Sequence, residues 1–271
     1  MARQKAFNIK GKVLSNKKIG ARFGRCVLHV PEIARNARAG QFVEIGLSRQ
    51  MKPFLRRPFS IHSSNRLDIG ILYEVLGPGT ETFAQKNPGE LLDIIGPLGS
   101  GFDCSMYKRR NIEVSVMVAG GMGVAPLAFL AQKLSSMDSK LENIILLGGR
   151  TKSHVLCVDE FRKADCTVKV STDDGSFGTK GRVTNLLENC LRKDLDPECT
   201  MVFACGPRPM LKGVATICEK FGIPAQLSLE AHMACGIGAC LGCVVDTVDG
   251  YKRVCKEGPV FWANQIVWGK E

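Results

Sequence analysis

Residues 111–134 read Asn-Ile-Glu-Val-Ser-Val-Met-Val-Ala-Gly-Gly-Met-Gly-Val-Ala-Pro-Leu-Ala-Phe-Leu-Ala-Gln-Lys-Leu. From Val114 to Gln132 this stretch carries no charge for 19 residues, long enough to raise the question of a membrane span. Gly120, Gly121, Gly123 and Pro126 break it in the middle. The better reading is a buried strand, a glycine turn and a buried helix, with no membrane span. Asn111 to Ala119 predicts the strand. Leu127, Leu130, Ala131 and Leu134 recur at i, i+3, i+4 and i+7, one face of a helix. The turn between them, Ala119 to Pro126, suits a nucleotide diphosphate at a helix N-terminus. It departs from G-x-G-x-x-G because Pro126 takes the third glycine position, where a first helical turn tolerates proline. Tight strand–helix packing is the plainer use of the same glycines.

Working toward the C-terminus, Asn143–Gly148, Cys166–Ser171 and Thr200–Ala204 are further apolar runs with helical segments between several of them. Strands alternating with helices predict a parallel sheet covered on both faces. A second turn, Ala204-Cys205-Gly206-Pro207, closes the last of these strands, and such sheets bind ligands at the carboxyl ends of their strands. Toward the N-terminus the period changes. Phe7, Ile9, Gly11 and Val13 lie two apart, and short runs follow at Cys26–Val30, Gln41–Leu47 and Asp68–Val75. Gly77-Pro78-Gly79 and Gly96-Pro97 punctuate them, which predicts a small antiparallel barrel or sandwich. Within it, Leu55-Arg-Arg-Pro-Phe-Ser-Ile-His62 sets an arginine fork beside a strand, a fit to pyrophosphate that an edge strand ending at Pro58 would equally explain.

The most specific pattern is Cys235-x4-Cys240-x2-Cys243, with Cys255 after eleven intervening residues. This is the plant-type ligand spacing of a [2Fe–2S] cluster. Gly236, Gly238 and Gly242 would let the backbone pass close to the cluster and adopt positive φ. Loop N–H groups can then hydrogen-bond the sulfurs. Cys255 follows a hairpin-like stretch, Asp246 to Lys252, turning at Asp249-Gly250. A structural zinc held by four thiolates is the competing reading, although zinc ribbons favour two short cysteine pairs. The other eight cysteines are scattered and read mostly as small core residues.

The 271 residues are 45% apolar and 23% charged, which excludes a disordered or collagen-like chain. The start, Met-Ala-Arg-Gln-Lys-Ala-Phe-Asn, has no apolar signal core, so the expectation is a cytoplasmic protein with reduced thiols. Net charge is +11, and the excess is local: residues 1–57 hold 14 Lys/Arg against 2 Asp/Glu. That face could steer an anionic cofactor or an acidic protein, or simply be solvated. No aromatic-interleaved basic stripe accompanies it, so nucleic acid is not expected.

These pieces in this order resemble the ferredoxin–NADP reductase superfamily, in which a flavin barrel precedes a nicotinamide domain. Ser228-Leu-Glu-Ala-His-Met-Ala-Cys-Gly-Ile-Gly-Ala-Cys-Leu-Gly-Cys243 and Val254-Cys-Lys-Glu-Gly-Pro-Val-Phe261 narrow it. They look like the electron-transfer subunits of dihydroorotate dehydrogenase B. The resemblance implies a multidomain β and α/β chain. Its parts would be an N-terminal antiparallel flavin-binding β-barrel (1–105), a central parallel α/β nucleotide-binding domain (106–223) and a small C-terminal [2Fe–2S] cysteine-loop domain (224–271). It implies FAD held by Arg57, Pro58, Phe59 and Ser60, by Leu72, Tyr73 and Glu74, and by Gly79 and Thr80, whose hydroxyl would donate to phosphate. Phe59 replaces the tyrosine of many reductases, keeping a ring to stack and losing a hydroxyl. It implies NAD at Gly121, Gly123 and the Cys205-Gly206-Pro207 turn, and the cluster on Cys235, Cys240, Cys243 and Cys255. No side-chain acid or base is implied. The expected partner is an FMN-containing dihydroorotate dehydrogenase catalytic subunit in a 2+2 heterotetramer of pyrimidine biosynthesis. The alternatives are a related subunit of an NAD(P)H:ferredoxin oxidoreductase or a sulfhydrogenase, and outside enzymes a zinc-stabilised binding module.

Overall fold

The computed structural model describes residues 5–47, 54–107, 111–137, 140–192 and 195–269. The N-terminal part is built from β1 (Phe7–Ile19), β2 (Phe23–His29), helix α1 (Pro31–Asn36), β3 (Phe42–Gly46), β4 (Arg57–Ser64), β5 (Asp68–Glu74), helix α2 (Pro78–Ala84) and β6 (Leu91–Leu98). The strands close into an antiparallel barrel in the order β1-β2-β5-β4-β3-β6, so the barrel alternative is the one realised. Alternation supplies its interior: Val13, Leu28, Val43, Ile45, Ile61, Ile71 and Ile94 are fully buried.

The second part carries β7 (Val114–Gly120), helix α3 (Val124–Ser135), β8 (Glu142–Gly149), helix α4 (Val158–Lys163), β9 (Cys166–Thr172), β10 (Thr179–Lys180), helix α5 (Val183–Leu191), β11 (Thr200–Cys205), helix α6 (Arg208–Phe221) and β12 (Ala225–Ser228). The sheet order is β10-β9-β8-β7-β11-β12, all parallel. The chain winds outward from β7 first through β8 and then through β11. β7 and β11 are therefore neighbours at a topological switch point. β7 and β11 are buried along nearly their whole length because helices cover both faces.

Helix α3 explains the long uncharged run. It packs against β4 of the barrel as well as against the parallel sheet. Its burial therefore extends beyond the expected face of Leu127, Leu130, Ala131 and Leu134 to Val124, Ala125, Ala128 and Phe129. The glycine turn is itself one turn of 3-10 helix, Gly121–Gly123, feeding directly into α3. Pro126 is the third residue of α3, still within the turn whose N–H groups have no partner.

The C-terminal part holds the hairpin β13 (Val244–Thr247) and β14 (Gly250–Arg253), then β15 (Val260–Trp262). Thr247 pairs with Gly250, so the loop is Val248-Asp249, one residue earlier than the sequence predicts. β15 runs antiparallel beside β12, pairing Ser228 with Val260 and Gln226 with Trp262. The cysteine segment thus leaves and rejoins the same edge of the central sheet. No described helix is long and apolar enough to cross a membrane.

Candidate redox site

The two turns at the switch point touch. A Cβ on Gly123 would lie 2.0 Å from the carbonyl oxygen of Cys205, so only glycine lets the β7 turn approach the β11 turn this closely. Beside them, between the barrel and the carboxyl ends of the strands, opens a cleft of about 280 Å³. Pro58, Phe59 and Ser60 of β4 line it, with Leu72, Tyr73 and Glu74 of β5, Thr80 of α2, and Cys205. Gly121, Gly123, Gly206 and Pro207 form the turns that carry Met122 and Cys205 to its wall. Arg57 and Gly79 meet at one side: a Cβ on Gly79 would lie 2.7 Å from the Arg57 Nε. The first N–H groups of α2 lack partners within the helix, so this corner pairs a guanidinium with backbone donors, which fits a diphosphate.

Several side chains are already committed. The Tyr73 hydroxyl donates to Asn16 Oδ1 at 2.8 Å, and Glu74 pairs with Arg22 at 2.9 Å. Phe59 buries most of its ring on Phe83, 4.8 Å between centroids, and edge-on against Tyr73. The Thr80 hydroxyl accepts from the N–H groups of Leu76 and Gly77 and donates to the Gly77 carbonyl. Its proton is used within its own turn, so backbone N–H groups are left as the phosphate donors there. The Ser60 hydroxyl has no partner among the described residues and opens on the cleft. Burial pushes the Cys205 thiol up to about 12, with Ser228 hydrogen-bonded to it, so Cys205 contributes a neutral thiol.

The cysteine segment supplies the third wall: Ser228 to Ala231 and Met233 line the same cleft. Sequence reading assigned no role to Glu230 or Met233, although both lie inside the quoted Ser228–Cys243 motif. Two residues beyond Met233 the thiol loop begins. Cys235 Sγ accepts from the Cys240 N–H at 3.4 Å, and Cys243 Sγ from the Cys255 N–H at 3.4 Å. Against the cost of burial, N–H groups of Ile237, Cys240 and Ala239 pull the Cys235 thiol down to about 6, which favours its thiolate. Gly236 and Gly238 take the expected positive φ; Gly242 does not, and Leu241 does so instead at φ 58°. Arg253 braces the loop by donating to the Gly238 carbonyl at 2.8 Å while paired with Glu257.

The four thiols fit a cluster better than one ion. A single tetrahedral zinc gathers its sulfurs to about 3.8 Å from one another. Among the described residues, no three of these thiols lie within 4.8 Å of each other. Cys240 is exposed, whereas Cys243 and Cys255 are buried. Under the loop lies a group that sequence reading missed. Glu44 of β3 is fully buried, both its carboxylate oxygens lack partners among the described residues, and a Cβ on Gly236 would collide with its side chain at 2.4 Å. Burial, opposed by Arg56, raises its carboxyl to about 7. The strand register that places it facing Gly236 comes from contacts 192 positions apart, and no local signal reveals it.

Comparison with known proteins agrees with this geometry. Residues 230–267 match the iron–sulfur cluster binding domain of dihydroorotate dehydrogenase B, and residues 117–216 the oxidoreductase NAD-binding domain. The dihydroorotate dehydrogenase B (NAD(+)) electron transfer subunit of Desulforamulus reducens is 40% identical over 245 residues, covering 88% of this chain and 90% of that protein. Its counterpart in Caldanaerobacter subterraneus subsp. tengcongensis is 39% identical over 266 residues, covering 97% and 99%. Among solved structures, an NADH-dependent reduced ferredoxin-NADP oxidoreductase superposes with a TM-score of 0.81 at 29% identity, covering 95% of this chain and 90% of that one. A ferredoxin NADP+ reductase from Neisseria gonorrhoeae, with bound FAD and NADP, shares the fold at a TM-score of 0.64 and 20% identity, covering 79% and 92%.

Proposed function

The chain belongs to the family of dihydroorotate dehydrogenase B electron transfer subunits, and from that premise we propose that it carries electrons from an FMN-containing dihydroorotate dehydrogenase subunit to NAD⁺ in cytoplasmic pyrimidine biosynthesis. It is an oxidoreductase subunit whose cofactors are FAD, a [2Fe–2S] cluster and NAD. When bound, the flavin and the cluster supply the exchange between two-electron and one-electron chemistry. The chain's own residues bind, orient and exclude water. Arg57, with the backbone at Gly79 and Thr80, would hold the flavin diphosphate. Pro58, Phe59, Ser60, Leu72, Tyr73 and Glu74 would line its ring, with the free Ser60 hydroxyl as a donor. The Gly121–Gly123 turn and Cys205-Gly206-Pro207 would receive the nucleotide. Cys235, Cys240, Cys243 and Cys255 would be the cluster ligands. We divide the chain accordingly into 1–105, 106–223 and 224–271.

One observation carries this reading: Ser60, Cys205 and Met233, from three separate parts of the chain, line one cleft. The flavin strand, the nucleotide turn and the start of the thiol loop are thereby brought together. The thiol loop that exposes Cys240 and the hairpin that follows it present the apolar side chains of Ile237, Leu241, Val244 and Tyr251 to solvent, Tyr251 at 77%. That surface supports docking of the catalytic partner over the cluster, two copies of each chain completing the assembly.

The close superposition on the ferredoxin-NADP oxidoreductase favours a second reading, a subunit of a related flavin–iron–sulfur complex. The visible spectrum of anaerobically purified protein tests the shared part. Flavin and iron–sulfur absorption bleached by NADH is expected, and folded protein showing neither chromophore would overturn it. Identity of the co-purifying protein separates the two readings: an FMN protein oxidising dihydroorotate is expected, and its absence alongside a ferredoxin-linked partner favours the second.

A further inference from the structure

Away from the cleft, the barrel and the nucleotide layer share a partly buried polar junction. Glu160 of α4 receives one hydrogen bond at each carboxylate oxygen. Arg25 of β2 donates to Oε1, and His62 of β4 donates Nε2–H to Oε2 at 2.8 Å. His62 is only 2% exposed. Against the cost of burial, these two donors hold the Glu160 carboxyl down to about 2, so it is a full anion. Arg25 and His62 thus both reach from the barrel to this one carboxylate of the nucleotide layer.

The two elements it joins each carry half of the redox geometry. His62 lies two residues beyond Ser60 on the strand that lines the cleft. Glu160 lies in the first turn of α4, whose preceding residue, Cys157, is held in the left-handed region at φ 62°. The loop leading there, residues 150–157, leaves β8 at the carboxyl edge of the sheet, beside the glycine turn with which Gly148 is in register. The same loop touches the barrel again where His154 meets the Phe23 ring edge-on at 6.3 Å. His62, Cys157 and Glu160 also place one ligand atom each within 4.8 Å, but the Arg25 guanidinium already occupies the carboxylate and faces the Cys157 sulfur, which disfavours a cation.

We propose that Glu160 is a positioning residue, a clasp that fixes the nucleotide-side loop 150–157 against the flavin-side strand β4 and so sets the approach of nicotinamide to flavin. This rests on the assignment of FAD and NAD to the cleft. Misplacement of reacting groups by about 1 Å costs about 100-fold in rate without requiring weaker binding.

The test uses the full, flavin-loaded chain. Glu160→Ala is expected to slow single-turnover flavin reduction at saturating NADH by at least about tenfold, with NADH affinity kept within about twofold. Amide exchange of residues 150–157 should rise. Arg25→Met and His62→Asn each remove one donor and should show smaller losses, and they keep the test open if Glu160→Ala does not fold. Arg25→Met combined with Glu160→Ala should be no slower than Glu160→Ala alone, because both act through one junction. An unchanged rate, a rate loss that merely follows lost affinity, or additive effects in the double variant would each overturn the clasp. The exchange measurement needs neither flavin nor NADH, and unchanged protection of 150–157 would overturn the clasp by itself. A wild-type chain that NADH fails to reduce would instead overturn the assigned function.

Discussion

Two residues show how a single side chain can be dictated by a distant backbone. Gly123 is glycine because the Cys205 carbonyl occupies the space of a Cβ. Gly123→Ala must push the two switch-point turns apart. It is expected to destabilise the chain by about 1–3 kcal/mol and to cut NADH-driven flavin reduction at least tenfold, read by urea denaturation and stopped-flow absorbance. Glu44 shows the reverse, an acid placed where no donor among the described residues reaches it. Its folded value, about 7, lies above the ordinary 4.5, so its contribution to stability is fully present below pH 4.5 and is lost as pH rises through 7. That slope amounts to about 3 kcal/mol. Glu44→Gln should remove most of it in denaturation curves taken from pH 5 to 8, and an unchanged slope would mean that another group titrates. The glycine was legible as a turn residue. The glutamate was not, because nothing in Phe42-Val-Glu-Ile-Gly46 announces that the outer face of this strand, where alternation puts its polar member, is covered by a loop from the far end of the chain.

Among the elements, those with strong internal periodicity were legible, and those defined by their neighbours were not. β1 and the face of α3 could be read from spacing alone. The uncharged run also announced that α3 is buried beyond that face, but not that β4 of the barrel is what covers it. β12 and β15 have four and three residues, too few to show a period, yet they set where the thiol loop begins and ends. The loop itself was legible as a glycine-rich run of thiols and less so in its backbone, since Leu241 takes a left-handed conformation that the glycine pattern assigns to Gly242. Its exposed member provides a clean separation of roles. Cys240→Ala should abolish stoichiometric iron while retaining flavin, measured by metal analysis and absorbance on the same sample. Loss of both together would mean that the loop and the flavin cleft fold as one unit.

For the whole molecule, the cleft was legible residue by residue but not as a place. Pro58 to Ser60, Leu72 to Glu74 and Cys205 were each readable from motifs, whereas their meeting with Met233 depends on the way three parts of the chain assemble. The junction at Glu160 joins residues 135 and 98 positions apart, beyond the reach of any local pattern. The apolar rim of the thiol loop belongs to the same scale. Tyr251→Ala is expected to weaken association with the catalytic subunit by roughly tenfold, about 1.4 kcal/mol, by titration calorimetry. NADH-driven flavin reduction in the isolated chain should be unaffected, and a parallel loss of both would place Tyr251 in the internal architecture instead.

The pairing of β12 with β15 has a mechanical consequence. Both ends of the thiol loop are stitched into adjacent strands of one sheet, Ser228 opposite Val260. A carrier tethered at one end can ferry charge by swinging between docking stations, and its turnover slows in a thick solvent. A segment sewn down at both ends has no such stroke. It behaves as fixed wiring, and the rate at which charge crosses it should be indifferent to added glycerol.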